Sequence, residues 1–224
     1  MSNNILFIHI PKTGGTSILR SLPMAKATWD HMDKIILKEF NKSQYVKFPW
    51  YNSFAKHIPY SYMDSNIIQS YDKIFSVVRN PWSRLVSLYN YTFSERMKSS
   101  IGTSYFQDFL FWDEFLDRMD SYIEDLNFFC NHPYDQWACQ EKWLGLKVDV
   151  LRYEYLNYDL NRYLGKSIRL EMVNTTKKVD YKSYYTNEQR DRVKKWFQKD
   201  IDRWGFSFDT SATKNYWGEN AKTN

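Results

Sequence analysis

The stretch that decides the fold is ILFIHIPKTGGTS, residues 5–17. Its first part, Ile5 to Ile10, is rich in isoleucine and phenylalanine, as is typical of a strand buried within a parallel sheet. Pro11 and the glycine pair that follows end this run in a tight loop. A helix is expected from Thr16 to Leu22. The stretch therefore predicts a strand, a short loop and a helix in direct succession.

Two further stretches repeat that order. Ile74 to Val78 is a second β-branched run, and the Asn80-Pro81 pair after it supplies an N-cap and a first-turn proline for a helix reaching Tyr91. Val148 to Leu151 begins a third unit, whose helical pattern ends at Gly165. Three strand-then-helix units predict an α/β fold with a central parallel sheet flanked by helices.

Outside these units, the stretch from Tyr45 to Met63 is predicted to be loop with short pieces of order, and three other stretches are predicted to be helical. Helical patterns cover His31 to Phe40 and Ser104 to Met119. A single last helix is expected to start at Thr186, which forms a capping box with Gln189, and to end at Gly205.

Length and composition fit one globular domain. The 224 residues, of which 43% are hydrophobic and 19% aromatic, are enough to bury a core. We expect one domain over residues 1–210 and a polar, flexible tail over residues 211–224.

Cys130 and Cys139 are too few for a disulfide framework, which favours a reducing compartment. Because no apolar run approaches about 20 residues and no signal peptide is visible, we expect a cytoplasmic protein without a membrane span.

The loop PKTGGTS at residues 11–17 has the composition of an anion site. Backbone N–H groups at a helix start, two glycines, several hydroxyl groups and a lysine together suit a phosphate or a sulfate. It is not a Walker A loop, because Lys12 precedes the glycines instead of following them. The net charge of +5 also favours anionic ligands, but it is too small for a dedicated nucleic-acid binder. A tight turn with an exposed lysine is the alternative interpretation of the loop.

A second candidate anion site follows the second predicted strand, at RNPWSRLVS, residues 79–87. Ligands of open α/β sheets bind at the carboxyl ends of the strands, where Arg79 is expected to emerge. Helical spacing puts Ser83, Arg84 and Ser87 on adjacent rows of the following helix. Arg79 and Ser87 are therefore candidates for holding a second phosphate, whereas Arg84 is expected to be a structural or surface ion-pair residue.

The chain resembles a known family, the PAPS-dependent sulfotransferases. The resemblance rests on HIPKTGGTS (9–17) and RNPWSRLVSLY (79–89), with further similarity in LRYEYLNYDL (151–160) and FQKDIDRWGFSF (197–208). It is closest to the carbohydrate branch, which includes heparan sulfate 2-O- and chondroitin-type enzymes and compact microbial relatives. The resemblance implies a P-loop-NTPase-like three-layer fold. It also implies transfer of the sulfuryl group of 3′-phosphoadenosine 5′-phosphosulfate (PAPS) to a hydroxyl of a carbohydrate or small-molecule acceptor by in-line displacement.

The same resemblance implies roles for individual residues. The 5′-phosphosulfate of PAPS would be held by the loop residues Lys12, Thr13, Gly14, Gly15, Thr16 and Ser17. Arg79 and Ser87 would hold the 3′-phosphate, and a late loop at residues 174–178 would cover the nucleotide through Thr176. Lys12 would also act in catalysis, as a cation at the bridging oxygen of the leaving group. No metal ion is expected, because sulfuryl transfer does not require a divalent cation and the histidines and cysteines show no ligand spacing.

A general base must take the proton of the acceptor hydroxyl. His57 lies between the two nucleotide motifs, where this branch of the family places its catalytic histidine, and it is the predicted base. His132 is the rival, with a contact to the acceptor or the cap of a turn as its other possible roles. His9 is interpreted as a strand residue bonded to nearby backbone, and His31 as a surface residue. Glu154 is expected to fix the fold.

Two other functions stay open at this stage. A P-loop-type nucleotide kinase would share the strand-loop-helix units, but its lysine would be misplaced and no Mg²⁺-binding aspartate follows an apolar strand. A non-catalytic module that binds anions or polysaccharides would fit the net charge and the many aromatic residues. The acceptor and the oligomeric state are not determined by the sequence, because the acceptor pocket is built from loops that meet only in the fold.

Overall fold

The computed structural model describes residues 4–27, 57, 59–92, 111–124, 139–171 and 180–219. Its centre is a four-stranded sheet in which every pair of neighbouring strands is parallel. The spatial order is β2-β1-β3-β4, with β1 at Ile5–Ile8, β2 at Ala25–Ala27, β3 at Lys73–Val78 and β4 at Asp149–Arg152. Helices flank the sheet, so the predicted α/β fold is confirmed, and β1, β3 and β4 are the three predicted strands.

Two details of the sheet differ from the prediction. Strand β1 stops at Ile8, and the next two residues, His9 and Ile10, are buried without belonging to the ladder. Strand β2 was not expected, because its sequence Ala-Lys-Ala lacks the β-branched and aromatic residues that favour strands. It forms because its backbone pairs with Ile5 to Phe7 of β1.

The helices of the described ranges follow local end signals. Asn80 caps one of them, since its side-chain oxygen accepts a hydrogen bond from the Trp82 backbone N–H at 3.1 Å. Thr186 and Gln189 form the predicted capping box of another. The helices are α1 (Gly15–Ser21), α2 (Ser65–Gln69), α3 (Pro81–Thr92), α4 (Trp112–Glu124), α5 (Leu156–Leu164), α6 (Asn187–Trp196) and α7 (Gln198–Trp204). None of these described helices is both long and apolar enough to cross a bilayer.

Short 3₁₀ turns connect several of these elements, at Tyr60–Tyr62, Gln140–Trp143, Tyr153–Tyr155 and Tyr181–Tyr184. The helix predicted over residues 31–40 lies outside the described residues, and so does the first part of the one predicted over residues 104–119.

The alternation of side chains along the strands divides the core between the two faces of the sheet. Leu6, Ile8 and Ile74 join buried residues of α3, α4, α6 and α7 in one cluster. Phe7 and Phe75 belong to a second cluster, with buried residues of α1 and α5. Complete burial of one such side chain contributes about 1.5–3 kcal/mol, so both layers of helices are anchored to the sheet.

The last helix was expected to be continuous, and this expectation was wrong. Phe197, with φ −108° and ψ 25°, separates α6 from α7. The apolar stripe stays buried across the break, so its periodicity does not reveal it. The physical reason lies in the buried carboxylate of Asp200, which accepts hydrogen bonds from the backbone N–H groups of Gln140 and Glu141 at 2.8 and 3.1 Å. These bonds orient the first turn of α7 independently of α6.

Residues 211–219, for which the polar composition predicts a flexible tail, contact the domain. The backbone N–H of Trp217 donates a 2.7 Å hydrogen bond to the carbonyl of Val150 in the edge strand β4. The N–H of Thr213 donates to the carbonyl of Trp204 at 2.8 Å, and Ala212 is buried. A backbone carbonyl of an edge strand that is satisfied in this way is not open to pairing with another chain.

Candidate functional site

The segments that follow β1 and β3 lie side by side at one edge of the sheet. The register pairs Ile8 with Ser76 and Val78 with Arg152, so the carboxyl ends of β1, β3 and β4 are adjacent. Ligands of open α/β sheets bind at this edge. The loop at residues 9–17 and the residues from Arg79 onward are therefore brought to the same place.

The loop after β1 is a tight turn held by its own bonds. Lys12 has φ 68° and Gly14 has φ 87°, and both values lie in the left-handed region. This conformation costs a lysine on the order of 1–3 kcal/mol, and such strain persists only where the surrounding structure enforces it. Thr13 is fully buried, and its hydroxyl donates a 2.9 Å hydrogen bond to the carbonyl of Ile10. The Thr13 side chain thus closes the loop.

Gly15 is in contact with the ring of His9. A Cβ atom at Gly15 would lie 1.9 Å from His9 Nε2 and 2.1 Å from its Cδ2. The three nearest atoms to such a Cβ all belong to that imidazole. The glycine is therefore required because the buried His9 ring occupies the space of a side chain at residue 15.

Arg79 connects the second motif to the first. Its Nη1 donates to the Lys12 carbonyl oxygen at 3.1 Å, and its Nε donates to the hydroxyl of Ser83 at 3.0 Å. The guanidinium also lies 4.1 Å from the centroid of the Tyr153 ring, which is a cation–π contact. Burial lowers the pKa of Arg79 from its ordinary value, and the arginine remains a cation.

The ammonium group of Lys12 is partly buried beside Arg79. Its Nζ lies 3.9 Å from the centroid of the Tyr91 ring at the end of α3. Burial, and secondarily the charge of Arg79, lowers the pKa of Lys12 to about 8. Two cations held together in a partly desolvated place favour an anionic ligand, because an anion would relieve their mutual repulsion.

His57 lies at the end of β1, next to this loop. Its Nδ1 is 3.0 Å from the carbonyl oxygen of His9, and the two imidazole rings are 4.2 Å apart between centroids. Because a carbonyl oxygen only accepts, Nδ1 of His57 carries the proton that it donates. In the neutral ring the lone pair is then on Nε2, which is the nitrogen able to take a proton.

The comparison with protein families places the whole of this site within one match. A family model described as "Sulfotransferase family" matches residues 1–207. The chain belongs to the sulfotransferase family. A comparison with curated proteins finds no match. Membership makes the chain an enzyme and implies sulfuryl transfer from PAPS, which decides against the kinase and the non-catalytic module.

The sulfotransferase carries its predicted donor-binding residues in three different settings. Lys12 and Gly14 are partly exposed in the loop, and Thr16 is exposed on α1. Thr13, Gly15 and Ser17 are buried. Arg79 donates to the hydroxyl of Ser83, one turn before Ser87, the residue predicted to hold the 3′-phosphate together with Arg79. Ser87 lies one turn further along α3 and is half-buried. Thr176 and His132 lie outside the described residues.

Tyr153 was not identified as a residue of this sulfotransferase site from the sequence, and Arg84 was expected to be a structural or surface ion-pair residue. Tyr153 stacks on Arg79, and a Cβ at Gly14 would lie 3.2 Å from the Tyr153 ring. Arg84 has a structural role: it is buried, and its Nε donates to the Pro11 carbonyl at 3.1 Å. The stretch LRYEYLNYDL was the available signal for Tyr153. No local signal distinguishes Arg84 from a surface arginine.

Glu154 has the structural role that was expected of it. Its carboxylate accepts a 2.8 Å hydrogen bond from the backbone N–H of Asn80, at the start of α3. Among the described residues no group of three or more histidine, cysteine, aspartate or glutamate side chains has the arrangement of a metal site.

The loop suits the phosphosulfate end of PAPS. Gly14 sits in left-handed backbone directly before α1, a turn conformation that occurs in loops whose N–H groups bind anions. Lys12 and Arg79 supply positive charge at the same place. The chemistry of this donor set therefore fits a ligand with several anionic groups.

Proposed function

We propose that this sulfotransferase transfers the sulfuryl group of PAPS to a hydroxyl of a carbohydrate or small-molecule acceptor, with His57 as the general base. The observation that carries the proposal is the hydrogen bond between Arg79 and the Lys12 carbonyl. It joins two nucleotide motifs that lie 67 residues apart into one cationic site. A donor with phosphate groups at both ends of its ribose matches such a site.

The donor would lie with its phosphosulfate on the loop of residues 12–17 and with its 3′-phosphate toward Arg79. Within the protein, Arg79 donates one hydrogen bond from Nε, to Ser83, and one from Nη1, to the Lys12 carbonyl. The guanidinium has five N–H donors, so several are left for a phosphate. Ser87 and Thr176 would add hydroxyl groups to the nucleotide site.

The chemical step would be one in-line displacement. His57 Nε2 takes the proton of the acceptor hydroxyl, while the acceptor oxygen forms a bond to sulfur. The bond between sulfur and the bridging oxygen breaks, and the leaving group is 3′,5′-ADP. The Lys12 ammonium would stabilise the negative charge that develops on the bridging oxygen, as cations do in phosphoryl transfer.

Positioning of the base is supported by the backbone of the loop itself. The carbonyl that orients His57 belongs to His9, and the His9 ring packs against Gly15 of the donor loop. The base and the loop are therefore attached to the same short segment of chain. Such a link would keep the base at a constant distance from the sulfur atom, and a displacement of about 1 Å is enough to reduce rates strongly.

Direct assay of the reaction tests the proposal. Purified enzyme with PAPS and a panel of acceptors, including oligosaccharides of glycosaminoglycan type and small alcohols and phenols, should release 3′,5′-ADP in proportion to sulfated product. Saturable binding of 3′,5′-ADP that is tighter than that of 5′-AMP is expected by titration calorimetry. Absence of both transfer and nucleotide binding would refute the proposed function, and preference for a phenol over sugars would refute the carbohydrate acceptor.

The cellular location is proposed as a reducing compartment such as the cytoplasm. Cys139 is a free thiol, and burial raises its pKa to about 12, so it is not a reactive thiolate. Fractionation of cells that express the full-length protein would test this, with recovery in a secreted fraction as the contrary result.

A further inference from the structure

The Gln140 side chain binds both backbone polar groups of Arg79, its N–H and its carbonyl. Its Oε1 accepts a hydrogen bond from the Arg79 N–H at 2.9 Å, and its Nε2 donates to the Arg79 carbonyl at 2.9 Å. Gln140 is fully buried, in the 3₁₀ turn that precedes β4. Arg79 is the first residue after β3, which ends at Val78. The two bonds from Gln140 satisfy its N–H and carbonyl groups in the way that a neighbouring strand would.

Asp200 in α7 holds Gln140 in turn. One carboxylate oxygen, Oδ2, accepts bonds from the backbone N–H of Gln140 at 2.8 Å and from its Nε2 at 3.2 Å. The other oxygen accepts a bond from the N–H of Glu141 at 3.1 Å. Asp200 is fully buried, and a buried carboxylate is tolerated only where it is well hydrogen-bonded. The amide of Gln140 therefore has a determined orientation, with its oxygen toward the Arg79 N–H.

The orientation of the Arg79 guanidinium depends on this backbone. The side chain leaves the backbone at a point that Gln140 holds from both sides, and its Nε then reaches the hydroxyl of Ser83. Its far end stacks on Tyr153 and reaches the carbonyl of Lys12. A guanidinium binds a phosphate through two parallel N–H bonds, and this geometry tolerates displacements of only about 0.5 Å.

We propose that Gln140 is a positioning residue for recognition of the 3′-phosphate, with Asp200 as its support. This inference rests on the proposed function, because it assigns Arg79 to the nucleotide. Gln140 acts through Arg79 and does not itself touch the donor. The enzyme thus distinguishes 3′-phosphorylated from unphosphorylated nucleotides with the help of a residue 61 positions away in the chain.

Gln140→Met tests the inference, because methionine has a similar length but forms neither bond. The readout is the ratio of two dissociation constants measured by titration calorimetry, that of 5′-AMP divided by that of 3′,5′-ADP. We expect this ratio to fall at least fivefold in Gln140→Met, with the affinity for 5′-AMP changed less than twofold. Val193→Ala is the control, since it removes buried volume from the core cluster that contains Trp143, the last residue of the same 3₁₀ turn, and leaves every bond of Gln140 in place. Its ratio should equal that of the wild type.

If Gln140→Met does not fold, Gln140→Asn serves as the second variant. Asparagine keeps a polar amide in the buried site but is one methylene shorter, so it cannot form the same bonds to the Arg79 backbone, and its ratio should also fall. A wild-type enzyme that does not discriminate between the two nucleotides would overturn the proposed function itself. A wild type that discriminates, with a Gln140 variant whose ratio is unchanged, would overturn the positioning role alone. An equal fall in Val193→Ala would show a general effect of destabilisation and would also overturn it.

Discussion

The Nη1 atom of Arg79 donates a 3.1 Å hydrogen bond to the carbonyl oxygen of Lys12. This carbonyl belongs to a residue in left-handed backbone, at the turn of the loop after β1. The bond therefore stabilises the loop and, at the same time, fixes the guanidinium against the backbone of Lys12. The Arg79 guanidinium and the Lys12 backbone of the proposed donor site therefore depend on each other for their positions.

Replacement of Arg79 by alanine should weaken binding of 3′,5′-ADP by about 10- to 100-fold. A hydrogen bond to a charged group contributes about 1.5–3 kcal/mol, which corresponds to that range. Binding of 5′-AMP should change much less, because it lacks the 3′-phosphate. Titration calorimetry measures both affinities, with Arg203→Ala as a control at an arginine whose side chain is 42% exposed. An equal loss for the two nucleotides would contradict the assignment of Arg79.

Activity should fall as the pH rises through about 8, the value to which burial and Arg79 lower the pKa of Lys12. The ammonium is the form that stabilises the leaving group, and it is present below this pKa and lost above it. The measurement is kcat/KM as a function of pH, which reports groups of the free enzyme. Lys12→Met should reduce kcat by about 10²- to 10³-fold and should remove the alkaline limb. A wild-type profile that is flat between pH 7 and 9.5 would be inconsistent with this role.

Substitution of His57 by asparagine should strongly reduce turnover and leave nucleotide binding intact. Asparagine can donate from its side-chain nitrogen to the His9 carbonyl, as Nδ1 does, but it has no basic nitrogen. The expected loss in kcat is about 10²- to 10⁴-fold, as for removal of a general base. His57→Ala should lose as much activity and also some stability. If His57→Asn keeps full activity, the base is another residue.

A methyl group at residue 15 should conflict with the ring of His9. Gly15→Ala is expected to destabilise the protein by about 1–3 kcal/mol, because its Cβ would lie 1.9 Å from His9 Nε2. The double variant with His9→Ala should recover part of this loss, since the ring that causes the conflict is gone. Urea unfolding measures the four stabilities of the cycle.

Gly165→Ala is the control for that cycle. Gly165 has φ 64°, and no heavy atom lies within 4 Å of the position of a Cβ there. The substitution should therefore reduce stability only by the strain of left-handed backbone. Strict additivity of the His9 and Gly15 substitutions would show that the contact is not the cause.

The stability of the fold should fall as the pH rises from about 4 to about 6. Burial raises the pKa of Asp200 to about 6. The hydrogen bonds from Gln140 lower this pKa, but their effect is smaller than that of burial. Between the unfolded and the folded pKa, the folded protein binds the larger number of protons, so deprotonation favours unfolding over this interval. One pKa unit corresponds to about 1.4 kcal/mol, and the total is therefore on the order of 2–3 kcal/mol.

Asp200→Asn isolates the contribution of this carboxylate. In the wild type, the titration of Asp200 should lower the free energy of unfolding between pH 4 and pH 6. The variant should not show this decrease. It should also be less stable than the wild type at pH 7, because the asparagine NH₂ group would face an N–H donor. Urea titrations of both proteins at each pH provide the comparison, and identical pH dependence in the two would exclude Asp200 as the titrating group.

Much of the fold was predictable because its signals are local. The apolar runs of β1, β3 and β4, the Asn80 cap and the Thr186 capping box each depend on residues that are close in the chain. Strand β2 and the break at Phe197 were not predictable in this way. The first depends on pairing with β1, and the second on hydrogen bonds between Asp200 and the turn at residue 140.

For the candidate site, the sequence by itself determined the types of residue at the strand ends: a glycine loop with a lysine, and an arginine before a capped helix. Only the tertiary structure decided that Arg79 reaches Lys12, that the His9 ring fills the space beside Gly15, and that Gln140 holds the Arg79 backbone. These contacts join residues 6 to 67 positions apart. Their formation depends on distances between strands and turns in space, which the spacing of residues along the chain does not specify.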